Sequence, residues 1–284
     1  MPRSVKIAIS KPGSVDDGKV GEILKIVEEC YERLEPHQVD FLDLCFFEAS
    51  SSIDAFMRGE LAKLGGSLQS FSESFLVMHD AWRGIPRISI CFERIRNLSE
   101  QVMFGAIRHE VGHSVLHGSV EHYLIPTPPS FIALMDRFSL PRGYMADLLY
   151  LLSIAIKDYE VTRLLHQRGY IDCQVAYAKY ILGVSEHDVL SWEAAKGSAL
   201  TESLYLVSCL KSVACAFPLL KDAEHGGEIE LHISRYLSHL PEDHRGRILK
   251  LSKAVLPFLG IDTLGNINQA ARAVAEGLLA SVLS

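Results

Sequence analysis

His109, Glu110 and His113 fall within the run His109-Glu110-Val111-Gly112-His113, and their residue types bind metals and move protons. On a helix each residue turns about 100°, so positions four apart lie about 40° apart around the axis and about 6 Å along it. Two imidazoles at that offset can close on one zinc ion, with Zn–N distances of about 2.0–2.1 Å. Glu110 points into a neighbouring sector, where a carboxylate can reach a metal-bound water without ligating the metal.

That chemistry requires a helix, and the flanking residues supply one. Val102, Ile107, Val111, Val115 and Leu116 keep apolar side chains near one side, the pattern of a helix with one buried face. Asn97 followed by Glu100 has the form of a capping box, and Gly118 after His117 is a common stop. The spacing predicts a helix over 98–117.

A catalytic zinc usually takes three protein ligands and one water, so a further ligand is needed. His117 is close in sequence, but its position predicts about 12 Å of rise from His109 on a straight helix, too far for one ion. A glycine turn before a third histidine, as in H-E-x-x-H-x-x-G-x-x-H, is also missing, because Gly118 follows His117. His117 therefore reads as a helix-terminal histidine near free carbonyls. His122 and His166 have no supporting spacing. Asp158 and Glu160 are better placed, since they interrupt an apolar helix of Leu148, Leu149, Leu151, Leu152, Ile154, Ile156, Val161, Leu164 and Leu165. A carboxylate is costly to bury alone but not when it coordinates a cation.

The motif on one helix and an acidic residue on a later one resemble the gluzincin metallopeptidases. The resemblance covers about residues 1–165 and makes Glu160 the best match for the third ligand, with Asp158 left as the alternative. It implies a zincin-like fold, Zn2+ as cofactor, and a peptide or protein as substrate. It implies peptide hydrolysis by metal-activated water, with Glu110 as general base. The aspartate that many gluzincins carry soon after the ligand glutamate is replaced here by Val161, Thr162 and Arg163. The form H-E-x-G-H followed by Leu116-His117 is also similar to metallopeptidase-like proteins that relieve bacterial repressors. A zinc-binding sensor and a non-peptide amide hydrolase are therefore the alternative expectations. Tyr144, His187, His244 and Arg245 are possible oxyanion donors between which the sequence does not choose.

The chain of 284 residues has 48% hydrophobic and 22% charged residues, ordinary for a soluble globular protein. A net charge of −7 without a basic run argues against a nucleic-acid partner. The six cysteines are scattered without a C-x-x-C pair and read as small buried hydrophobes. The start, Met1-Pro2-Arg3-Ser4-Val5, has no signal-like apolar region, so a reducing cytoplasmic location is expected. Leu204–Leu220 approaches membrane-spanning length, but Lys211 and Pro218 favour a buried core helix. The oligomeric state is not legible.

The expected fold class is α+β, with a zincin-like subdomain over 1–125 and a helical subdomain over 126–284 that supplies the third ligand. Strands are expected at Ser4–Ser10, Gln38–Phe47, Phe75–His79 and Ile85–Phe92. Helices are expected at Gly21–Leu34 and at Ser52–Lys63, the latter ending at Gly65-Gly66. In Ser4–Ser10, Val5, Ile7 and Ile9 alternate as in a half-buried strand. Pro86 suits an edge strand or a strand terminus, and such an edge could pair with an extended peptide. After the stiff connector Ile125-Pro126-Thr127-Pro128-Pro129, helices are expected at about 129–138, 142–168, 171–182, 187–220, 227–239, 242–258 and 266–283.

Overall fold

The computed structural model describes residues 5–63 and 76–283. It is an α+β protein whose chain divides into two compact units. The first comprises Met1–Tyr123 and Arg168–Tyr177; the second comprises Leu124–Gln167 and Ala178–Ser284.

The first unit contains β1 (Lys6–Ser10), α1 (Asp17–Arg33), β2 (Phe41–Phe47), α2 (Ser50–Lys63), β3 (Val77–Asp80), β4 (Arg87–Cys91), α3 (Phe92–Ile95) and α4 (Glu100–His117). Asp16 caps α1 by accepting from Lys19 N at 2.8 Å. Val20, Ile23, Val27, Cys30 and Tyr31 then recur at helical spacing and are buried. The strands form one mixed sheet in the order β1-β2-β4-β3, parallel except for β3, which runs antiparallel to β4. Cys45 and Phe47 of β2 pack with Ile53 and Met57 of α2 in one apolar cluster. By the pleat, Leu44 and Phe46 point to the opposite face, and both are fully buried.

Three local expectations are corrected. β4 is not an edge: it lies between β2 and β3, and all of Arg87–Cys91 is buried. Pro86 precedes the strand and contributes a carbonyl, which accepts from Asp43 N at 2.9 Å, so its missing N–H costs nothing there. Among the described residues the edge beside β4 is β3. On the other side β1 is the outer strand, and Ile9 remains 42% exposed rather than half-buried. The cap of α4 is Ser99, not Asn97: Val102 N donates to the Ser99 hydroxyl at 3.4 Å. Gly65-Gly66, Ser4 and Phe75 lie outside the described residues.

Arg87 is a charge inside this sheet, and it is matched. It donates from Nε and Nη2 to both oxygens of Asp80, its antiparallel partner, at 2.9 and 3.1 Å. Nη1 reaches Glu60 of α2 at 3.1 Å. This fork geometry lets a buried guanidinium persist in an interior strand.

The segment Arg168–Tyr177 is tied into the first unit by polar and aromatic contacts. Arg168 donates to the carbonyls of Arg33 and Glu35. The Tyr170 hydroxyl donates to Glu29 at 3.0 Å, and the guanidiniums of Arg33 and Arg108 lie over its ring at 4.4 and 4.6 Å.

The second unit is helical: α5 (Pro129–Phe138), α6 (Arg142–Gln167), α8 (Glu186–Ala195), α9 (Ala199–Ala216), α10 (Gly226–Tyr236), α11 (Glu242–Val255), α12 (Thr263–Val274) and α13 (Ala280–Val282). The unit boundary falls inside α7 (Ile171–Ile181). The single helix expected over 187–220 is two, because the chain turns at Gly197 with φ +86°, a conformation suited to glycine. α6 and α9 pack along much of their length. Ala199–Lys221 is long and apolar enough to cross a membrane, but 67% of that window is buried in the protein. All six cysteines are buried thiols outside any disulfide.

Candidate metal centre

α4 carries His109, Glu110 and His113 as one continuous helix, and all three are buried, at 2%, 8% and 9% exposure. The imidazole centroids of His109 and His113 are 4.9 Å apart. Two neighbouring imidazoles beside a carboxylate, all withdrawn from bulk water, are a donor set suited to a borderline-soft divalent ion such as zinc.

Two close approaches and several hydrogen bonds fix how α4 sits in the first unit. At Gly105, one turn before His109, an added Cβ would lie 2.2 Å from the Cys173 carbonyl oxygen. Gln174 Nε2 donates to the Gly105 carbonyl at 2.9 Å. At Gly118 a Cβ would lie 2.2 Å from the Ser114 carbonyl oxygen and 2.9 Å from Pro86 Cγ, which explains a glycine at the helix end. Ser114 donates to Val111 O at 2.7 Å, so the Tyr31 hydroxyl, 2.6 Å away, donates to Ser114. Burial pushes the Tyr31 phenol well above its usual range, so it remains a donor. Arg108 bonds Glu29 at 3.2 Å. Together these bonds tie α4 to α1 and to the start of α7.

Around the motif lies an aromatic cluster that motif spacing did not reveal. His117 is fully buried, and its Nδ1 is 3.2 Å from His113 Nδ1. His122 packs on His117 with centroids 5.3 Å apart. From β3, His79 lies parallel to His113, 6.0 Å away with 9° between planes, and its Nδ1 is 3.0 Å from the Tyr123 hydroxyl. Tyr177 lies against His109 at 5.2 Å. His117 was detectable as the next i+4 position after His113. His79 carried no local signal, because strand pairing and helix packing bring it there.

Glu160 belongs to the second unit. It is 4% exposed on α6, and both its oxygens accept hydrogen bonds from α12: Oε2 from Thr263 Oγ1 at 2.8 Å, Oε1 from Asn266 Nδ2 at 2.5 Å. Burial raises its carboxyl pKa, and these two donors offset part of that rise. Asp158 sits about 160° further round the same helix. Its carboxylate comes within 4.8 Å of the Cys215 thiol on α9. The two acidic residues of α6 thus serve different neighbours. Lys157, just before Asp158, is buried, which pushes its ammonium down to about 8.

The remaining residues singled out for polar roles have partners in the second unit. Tyr144 pairs with Ser203 at 2.5 Å, His187 with Ser191 at 3.4 Å, and His244 with Glu202 at 3.0 Å. His166 lies 3.4 Å from Asp222. Arg245 lies in the first turn of α11, where its backbone N–H donates to the Pro241 carbonyl at 3.1 Å.

No protein-family model matches the chain, and neither does any curated protein or solved structure.

Proposed function

We propose that the protein is a zinc-dependent peptidase with a zincin-like fold. The observation that carries this reading is the buried His109–Glu110–His113 set on one continuous helix. A sheet with an antiparallel outer strand beside that helix supports it, being similar to the zincin upper subdomain.

His109 and His113 would hold the ion, and Glu160 would complete the protein ligands, as the gluzincin resemblance implies. The bonds from Thr263 and Asn266 support Glu160, because ligating carboxylates are commonly held in place by outer hydrogen bonds. Zinc, when bound, supplies a Lewis acid that brings the pKa of a coordinated water to about 7. Glu110 takes a proton onto its carboxylate as water attacks the peptide carbonyl, then delivers it to the departing amine. Burial of Glu110 keeps competing solvent away from that proton.

Metal analysis after dialysis tests the ligand assignment. The wild-type chain retains stoichiometric zinc, and His109→Ala and His113→Ala lose it. A wild-type chain that retains none, or variants that retain it fully, would refute the reading.

A further inference from the structure

We infer that His117 is a positioning residue for His113: the Nδ1 of His117 accepts a hydrogen bond from the Nδ1–H of His113. The inference rests on the zinc reading above and extends it to a residue that is not itself a ligand.

The two Nδ1 atoms are 3.2 Å apart and can share a single proton between them. With Nδ1 of His113 committed to this contact, Nε2 is its metal-binding nitrogen. A neutral imidazole that binds through Nε2 carries its proton on Nδ1. His113 is therefore the donor and His117 the acceptor. His117 in turn carries its own proton on Nε2, on the opposite side of its ring.

The surroundings hold this arrangement in place. His117 is fully buried, with His122 packed against it at 5.3 Å. His113 is covered on another side by the parallel ring of His79, which the Tyr123 hydroxyl engages at 3.0 Å. The acceptor for a metal-binding histidine is often a carboxylate or a carbonyl; here a third imidazole one helical turn further along fills that place. The helix rise that keeps His117 from the ion is what brings it to the far side of His113.

The test is zinc affinity, measured by competition with a chelating indicator, on folded protein verified by circular dichroism. His117→Phe keeps ring bulk but removes the acceptor and should weaken zinc binding about 10–100-fold. His117→Asn returns an acceptor near the Nδ1 position and should recover most of that loss. Wild-type affinity in His117→Phe, or an Asn variant as weak as the Phe variant, would overturn the positioning role. His113→Ala serves as the reference. If it too binds zinc like the wild type, His113 is not a ligand and the zinc reading itself fails, which is distinguishable from failure of the His117 role alone.

Discussion

Asn266 donates to Oε1 of Glu160 at 2.5 Å while its own side chain bonds both the N–H and the carbonyl of Gly260, at 2.8 and 3.2 Å. The carboxylate is thus fastened to α12 and to the turn before it. Arg163, one turn beyond Glu160 on α6, donates to the carbonyls of Leu259 and Gly260 and holds the same turn from the other side. A carboxylate gripped in this way has little rotational freedom, as a metal ligand requires.

Glu160→Ala should therefore weaken zinc binding by more than the about 10–100-fold expected from an outer-shell loss, and Asn266→Ala should fall within that range. Asp158→Ala should have the smaller effect of the two acidic substitutions. Competition titrations with zinc check this order. An Asp158→Ala loss larger than that of Glu160→Ala would transfer the ligand role to Asp158.

The two glycines Gly105 and Gly59 should respond with opposite signs. At Gly105 a methyl group meets the Cys173 carbonyl oxygen at 2.2 Å and Tyr177 Cβ at 2.7 Å. Gly105→Ala should cost about 1–3 kcal/mol, more than the helix propensity it gains. Gly59, inside α2, has nothing within 4 Å of an added Cβ. Gly59→Ala should stabilise by about 0.5–1 kcal/mol. Thermal unfolding of both variants measures the contrast, and a stabilising Gly105→Ala would contradict the close packing of α4 on α7.

Much of the helical plan was legible in the sequence, because amphipathic spacing and Gly or Pro punctuation are local signals. Asp158 and Glu160 drew notice as charges inside an apolar helix, and Glu160 is indeed almost fully buried. Sheet order was not legible: Pro86 suited either an edge strand or a strand terminus, and it precedes an interior strand that begins at Arg87. Choosing Ser99 over Asn97 as the cap depended on where α3 ends, at Ile95, which no local pattern fixes. His117 read as a helix-terminal histidine near free carbonyls, and no local pattern revealed that its Nδ1 lies 3.2 Å from that of His113. His79 reaches the motif through tertiary packing alone.

Stability should change with pH through Lys157. Burial lowers its ammonium from an ordinary 10.5 to about 8, against the smaller opposing pull of Asp158 and Glu160. The folded pKa is depressed, so the penalty is complete below about 8 and fades as pH rises toward 10.5. Lys157→Met should be more stable than the wild type at neutral pH by roughly 2 kcal/mol. That advantage should shrink as pH rises through the same window. Urea denaturation of the pair across pH checks it; a gap that stays constant with pH would show that Lys157 does not carry the effect.

The most direct measurement of the central claim is hydrolysis of a fluorescence-quenched mixed-sequence peptide library by the zinc-loaded wild type and by Glu110→Gln, with zinc content determined on the same samples. A zinc peptidase with Glu110 as general base predicts equal zinc in both proteins, cleavage by the wild type, and a rate about 10²–10⁴-fold lower in Glu110→Gln. Cleavage by Glu110→Gln at the wild-type rate would contradict it.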